Sequence, residues 1–376
     1  MIRLAQARNR RYRVLIVATH AVQYSAPIYR QMARHPELDM EVAYCSLRGA
    51  ESGLDPDFGK EVKWDVPLLD GYSWMLLRNR AIHPGPGRFF GFLNTDLWRK
   101  LRRGHYDALV LCTGYRYATF WIGLLAAKLR GIPVLFGTDA ISLAARDGAA
   151  WKAFLKRYFW PVLFRLADQV TVPSTGTREM MRALGIPERR ITLTPYVVDN
   201  EWWKAQSSHV DRAVVRHRAS LPRETSAMER PLDLLRAFAK ADAPNLFLVF
   251  AGDGPLHGEI AREAMELGVG GRVRLLGFVN QSELPAAYRA SDVLVLPSEY
   301  EPFGVVVNKA ILCGCVAAVS NHVGAGRDLI RAENGFVFPC GNISALAGIL
   351  RQIAGNAQRL EEMSKSSQII LEKWSP

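Results

Sequence analysis

Acidic residues are outnumbered, the cysteines do not pair into a framework, and no apolar run is long. The 376 residues include 36 Asp or Glu against 48 Lys or Arg, a formal net charge of +12. Such a balance points to acidic partners, whether nucleotide phosphates, anionic lipid head groups or nucleic acid, and charge alone does not choose among them. The 5 cysteines, Cys45, Cys112, Cys313, Cys315 and Cys340, have neither zinc-ligand spacing nor a disulfide pattern. Buried free thiols in a reducing cytoplasm are the expectation. The longest apolar run, "YATFWIGLLAA" ahead of Lys128, is too short to span a bilayer, and the N-terminal residues lack the apolar core of a signal peptide. The chain therefore reads as cytoplasmic, without an integral membrane segment.

Hydrophobic residues make up 49% and charged residues 22% of the chain, which excludes global disorder. Its length exceeds what one core usually organises, so two domains are expected. "MIRLAQARNRRYR" carries five arginines and no acid, and residues 1–12 read as a solvated basic tail. "LWRKLRRGHY" is also basic, with Trp98 beside the cluster. It reads first as a solvated helix face; together the two stretches could hold the protein at the inner face of an anionic membrane.

Strand-like and helical patterns alternate along the whole chain. "VLIVATH", "APIYRQMARHP" and "MEVAYCS" make a β-α-β unit; "YDALVLCTG", "PVLFGTD", "QVTVPS" and "RITLTP" follow as strands separated by helical segments. The second half repeats the scheme from "PLDLLRAFAKA" through "LFLVFAGDGP", "VRLLGFV" and "DVLVLPS". This is the pattern of parallel sheets covered on both faces, and the predicted fold is α/β, two Rossmann-like domains facing a cleft. The boundary falls around "PYVVDNEWW", giving domains over residues 13–200 and 201–376, with an atypical segment at 207–230. Ligands in such sheets bind beyond the carboxyl ends of the strands, so the turns after strands are the candidate sites.

Three turns in the second half qualify. "AGDGP" offers Gly252, Asp253 and Gly254, whose backbone can approach a ligand closely, although the same residues make an ordinary tight turn. "GFVN" offers Phe278 and Asn280. "SEYEPFG" runs into a helix whose first amides, from Phe303, Gly304 and Val305, suit a phosphate or polar sugar.

In order and spacing, "PLDLLRAFAKA", "FAGDGPL", "VRLLGFVNQSELPAAYRASDVLVLPSEYEPFGVVV", "VGAGRDLI" and "NGFVFP" resemble the C-terminal domain of family 4 glycosyltransferases of the GT-B fold. The first half, through "THAVQYSAPIYR", "DPDFGKEVKWDVPLLDGY" and "TPYVVDN", is more loosely similar to their acceptor domain. The resemblance implies retaining transfer of a sugar from a UDP- or GDP-linked donor to a glycan or lipid-linked acceptor hydroxyl. It implies no cofactor and no obligatory metal, and no Asp-x-Asp pair is expected at a strand end. Glu301 would be the catalytic-site carboxylate, holding donor sugar hydroxyls. The amides of residues 303–305 would hold sugar and phosphate, and the "GFVN" turn would contact the base. His20, Gln23, Tyr24, Tyr115 and Asp139 follow strands of the first half and are acceptor-side candidates. A structural histidine and a helix-capping aspartate are equally open readings for His20 and Asp139.

Against that pattern, the family's second glutamate, an acceptor for ribose hydroxyls, is Lys309 here, and lysine has donors only. Where the family carries Gly and two basic residues to neutralise the diphosphate, ungapped reading places Arg223, Glu224 and Glu229. Arg223, Arg230 and Lys309 are then the candidate diphosphate cations. The alternative function is a non-catalytic relative that binds a glycan or protein partner; nucleic acid is not an expected partner.

Overall fold

The computed structural model describes residues 10–55, 60–143, 150–212 and 230–375. Residues 1–9 of the basic tail, Arg223, Glu224, Glu229 and most of the 207–230 segment lie outside the described residues. The chain divides into two compact units. The first takes in Met1–Gly53, Pro67–Pro173 and Thr177–Thr194; the second takes in Leu54–Val66, Ser174–Gly176 and Pro195–Pro376.

The first unit is built on a seven-stranded sheet. Its strands are β1 (Tyr12–Ala18), β2 (Leu38–Tyr44), β5 (Ser73–Leu76), β6 (Ala108–Cys112), β7 (Val134–Gly137), β8 (Gln169–Val172) and β9 (Ile191–Leu193), in the order β5-β2-β1-β6-β7-β8-β9. Every neighbouring pair is parallel. β1 is buried continuously from Val14 onward, as a strand covered on both faces must be. The chain winds outward from β1 in both directions, so the sheet reverses between β1 and β6, and the turns after these two strands open at a topological switch point. A short pair, β3 (Gly53–Asp55) and β4 (Lys60–Val62), forms its own two-stranded sheet and, from Leu54 on, belongs to the second unit. Asp55, the first residue of an Asp-Pro-Asp stretch in the sequence, closes β3; Pro56 and Asp57 lie outside the described residues.

Helices α1 (Ala26–Arg34), α2 (Asp96–Arg103), α3 (Ala118–Leu129), α4 (Ala150–Arg165) and α5 (Thr175–Ala183) link these strands. Asp96 opens α2 and Lys100, Arg102 and Arg103 close it, matching the helix dipole at both ends. Of the four cations of α2, Lys100 pairs with Glu41 at 2.6 Å and Arg99 with Asp96 at 3.1 Å, while Arg102 and Arg103 are exposed; Trp98 packs on the core. The basic cluster is a solvated helix face. The core itself runs through Leu15, Leu109, Phe120, Phe136, Phe164 and Met181. Burying each of these side chains contributes roughly 1.5–3 kcal/mol. Of the cysteines, Cys45, Cys313 and Cys315 are buried as expected, Cys340 is half-buried, and Cys112 is exposed at the end of β6.

The second unit contains strands β10 (Leu248–Phe250) and β11 (Val273–Leu275), paired in parallel, and a parallel sheet of β12 (Val293–Leu296), β13 (Val316–Ser320) and β14 (Gly335–Phe338). Its helices are α6 (Asn200–Ser208), α7 (Pro231–Ala241), α8 (His257–Glu266), α9 (Leu284–Ala290), α10 (Val305–Leu312), α11 (Gly324–Leu329), α12 (Ile343–Gly355) and α13 (Ala357–Leu371). Side-chain caps start several of them: Asp199 accepts from Trp202 N at 3.0 Å, Asn342 from Ala345 N at 2.9 Å and Asn356 from Arg359 N at 2.9 Å. Each such cap is worth about 1 kcal/mol. Leu234, Leu235 and Phe238 of α7 belong to one core with Leu346 and Leu350 of α12. No described helix is long and apolar enough to cross a membrane.

Candidate active site

The turn from β12 to α10 is held by backbone hydrogen bonds and by two glycines. Glu301 forms an isolated bridge with Val323; Glu301 N donates to His322 O at 3.3 Å, and Gly324 N donates to Glu301 O at 3.0 Å. Gly304, the residue before the helix, has φ +92°, and a Cβ there would lie 3.1 Å from Val323 Cγ1, 3.2 Å from Leu296 Cδ2 and 3.3 Å from Glu301 Cγ. Only glycine takes that conformation in that space without strain. Gly324 is needed for a different reason: a Cβ would stand 2.0 Å from the Pro302 carbonyl oxygen. These contacts hold the Glu301 backbone beside the start of α10, whose first amides have no partner within the helix. Glu301 is half-buried, so its carboxylate is within reach of solvent.

Phe303 belongs to the turn through its backbone alone. Its side chain is 1% exposed, stacked on Trp374 at 5.9 Å and edge-on to Tyr196 at 5.7 Å. The aromatic anchor fixes the turn from below, while its carbonyl accepts from Ala325 N at 2.7 Å.

Lys309 is placed differently from the sequence expectation. It is 3% exposed; its ammonium donates to Gln281 Oε1 at 3.0 Å and lies 5.4 Å from the centroid of the Trp203 ring. A cation held on an amide oxygen and an aromatic face, both inside the unit, is committed to packing. Lys309 therefore does not stand among the donor contacts and diphosphate cations where the sequence reading put it. The sequence signal was the family position; the partners Gln281 and Trp203 carried none.

Arg230 is brought to the turn. It takes a left-handed conformation (φ 50°) just before α7, bonds Asp233 Oδ2 at 2.5 Å, and reaches Glu299 Oε2 at 3.5 Å. Its guanidinium is partly exposed and stands beside the residue two positions before Glu301. Of the three candidate diphosphate cations, it is the one described residue that the structure sets at this turn.

The two glycine turns after β10 and β11 are latched together. Gly252 N donates to Gly277 O at 2.8 Å, and Asp253 Oδ1 accepts from Gly254 N at 3.0 Å. Phe278 and Asn280 meet a segment that the sequence did not connect with them. Asn280 Nδ2 donates to Lys63 O at 2.9 Å, Ser282 N donates to Asp65 Oδ1 at 3.1 Å, and the Trp64 ring lies 6.2 Å from that of Phe278. Ser282 Oγ also bonds the Asp65 carboxylate. A strap at residues 63–65 therefore covers part of the turn expected to meet a nucleobase.

In the first unit, His20, Gln23 and Tyr24 follow β1, Tyr115 follows β6 and Asp139 follows β7, all at the carboxyl edge of the sheet and all half-buried. Tyr115 is structurally engaged: Trp160 Nε1 donates to its hydroxyl at 3.0 Å and Trp121 Nε1 to its carbonyl at 2.9 Å. The Asp139 carbonyl accepts from Thr177 Oγ1 at 3.3 Å. Among the described residues, no group of three His, Cys, Asp or Glu side chains could hold a metal ion.

Two family profiles match the chain, "Glycosyl transferase 4-like domain" over residues 3–197 and "Glycosyl transferases group 1" over residues 224–369. A GDP-mannose-dependent alpha-mannosyltransferase of Mycobacterium tuberculosis (strain CDC 1551 / Oshkosh) is 30% identical over 294 residues, 74% of each chain. The uncharacterized glycosyltransferase MJ1607 of Methanocaldococcus jannaschii is 35% identical over 145 residues, covering 38% of this chain and 37% of that one. Among solved structures, Anabaena HepE in complex with UDP and glucose superimposes with a TM-score of 0.72 at 17% identity, over 97% of this chain and 96% of that one.

Proposed function

The chain belongs to the family 4-like, group 1 glycosyltransferases of GT-B fold, and from that membership we propose that it moves a sugar from a nucleoside diphosphate sugar to an acceptor hydroxyl with retention of configuration. The observation that carries this reading is the β12–α10 turn. A glycine-locked backbone presents Glu301 beside the unpaired amides that open a helix, with Arg230 against the same turn through Glu299. The carboxylate suits the hydroxyls of a sugar, and the amides suit a phosphate.

In the reaction, the bond from the anomeric carbon to the diphosphate oxygen breaks and its electron pair stays with the diphosphate. The acceptor oxygen attacks the same face, and its proton passes to the departing phosphate. Charge grows on the diphosphate as the bond lengthens, and oriented amides with a nearby guanidinium stabilise it. No cofactor or obligatory metal enters the scheme. The acceptor is a glycan or lipid-linked hydroxyl, and His20, Gln23 and Tyr24, at the carboxyl edge of the first unit's sheet, are the residues proposed to hold it. The setting is cytoplasmic and polysaccharide-building.

A second reading, a non-catalytic relative that binds a glycan or protein partner, is favoured by one observation. Lys309 replaces the ribose-accepting carboxylate and is spent on Gln281 and Trp203. Calorimetric titration with UDP and with GDP tests the donor site directly. Saturable binding of one nucleotide, weakened at least tenfold by Gly304→Val, is expected; no heat at millimolar nucleotide would exclude a donor site in this chain.

A further inference from the structure

Helix α4 has two apolar faces. One, with Trp160, Leu163 and Phe164, is buried in the core of the first unit. The other is in solvent: Trp151 is 62% exposed, Phe154 62%, Leu155 54%, Tyr158 63%, Phe159 41% and Val162 60%. At about 100° per residue these six side chains fall within an arc of roughly 140°, a full amphipathic stripe opposite the buried one. A helix that only has to cover a sheet needs one such stripe, and a contiguous exposed second one marks an interaction surface.

The chemistry around the stripe selects the partner. Nothing acidic occurs in the sixteen residues of α4, "AWKAFLKRYFWPVLFR", whereas Lys152 and Arg157 stand on either side of the apolar arc, Lys156 lies between it and the buried face, and Arg165 falls within it at the C-terminal end. The Lys152 ammonium lies 5.5 Å from the Trp151 ring centroid, and that of Lys156 lies 5.3 Å from Trp160. Phe154 and Tyr158 pack ring against ring at 4.9 Å, one turn apart. Aromatic and aliphatic side chains along one arc, with lysine and arginine and no acid in the rest of the helix, is the composition of a helix lying in the interface of a negatively charged bilayer.

We propose that the exposed face of α4 is the surface by which this protein docks on an anionic lipid bilayer, the aromatic stripe entering the head-group layer and the flanking lysines and arginines meeting the phosphates. This site differs from the two basic stretches that the sequence suggested; in α2, Arg99 and Lys100 are paired within the fold. It does not depend on the donor-site reading, and a vesicle assay needs no nucleotide.

The test is sedimentation of the full chain with sucrose-loaded phosphatidylcholine vesicles, with and without phosphatidylglycerol. Partitioning onto the phosphatidylglycerol vesicles is expected, together with a blue shift of tryptophan emission that Trp151→Phe reduces. The double variant Phe154→Glu/Tyr158→Glu should lower the partition coefficient at least tenfold with unchanged near-ultraviolet dichroism. The pair Lys152→Glu/Lys156→Glu, which leaves the stripe intact, should lower it for the phosphatidylglycerol vesicles alone. Absence of partitioning by the parent chain, or undiminished partitioning by both folded variants, would overturn the proposal. A parent chain that sediments as a dimer without vesicle binding, and as a monomer with Phe154→Glu/Tyr158→Glu, would assign the stripe to a second copy instead.

Discussion

Lys309 and Gly304, five residues apart, show how differently single positions report on function. The Gly304 φ of +92° strains any side chain, and its three close neighbours would have to shift to admit a Cβ, so Gly304→Ala should destabilise the protein by about 1–2 kcal/mol, read as the shift in urea unfolding. Lys309 is legible as a departure from the family motif, but its burial against Gln281 and Trp203 is not, because those partners are remote in sequence. Lys309→Glu would turn a carboxylate toward the negative face of the Trp203 ring. It should cost about 2 kcal/mol of stability and bring no gain in nucleotide affinity; tighter UDP or GDP binding by a folded Lys309→Glu protein would show that the position faces ligand. The buried thiols behave as the composition suggested. Burial pushes the thiols of Cys45 and Cys313 from an ordinary value of 9.0 up to about 12. The folded protein keeps those protons between these values while the unfolded chain releases them, so stability should fall as pH rises from about 9 toward 12, measured by denaturant midpoints.

At the scale of elements, the strap and the turn it covers are the main addition. The alternation of strand and helix was readable because period and punctuation are local: "YDALVLCTG" became β6 and "DVLVLPS" became β12 with their turns where expected. The contact of Asp65 with Ser282 spans 217 residues and leaves no local trace in either segment. Strands β3 ("GLD") and β4 ("KEV") also went unread, since they carry charged residues in place of the apolar runs that mark the other strands. A carboxylate accepting a backbone amide and a hydroxyl makes charge-assisted bonds. Asp65→Ala should therefore release the strap, raising the hydrogen-exchange rate of the Ser282 amide at least tenfold with the global unfolding free energy little changed. An unchanged rate would mean that the strap adds nothing to the order of this turn.

At the scale of the whole molecule, the chain is two α/β units. Arg230 stands at the turn of the candidate donor site, while α4 carries an exposed apolar stripe with Lys152 and Arg157 on either side. The sequence located the first through motif order and missed the second, because helical periodicity alone does not tell which of two apolar faces is buried. The central claim is that Glu301 and the turn around it serve sugar transfer. It is tested most directly by release of UDP or GDP from their sugars by the purified chain, with water or a supplied glycan as acceptor, compared with Glu301→Ala. Release from at least one nucleotide sugar, lowered at least a hundredfold in a folded Glu301→Ala protein, is the predicted result. Equal rates for the two proteins, or no release from any UDP- or GDP-sugar by a parent chain that binds the nucleotide, would contradict it.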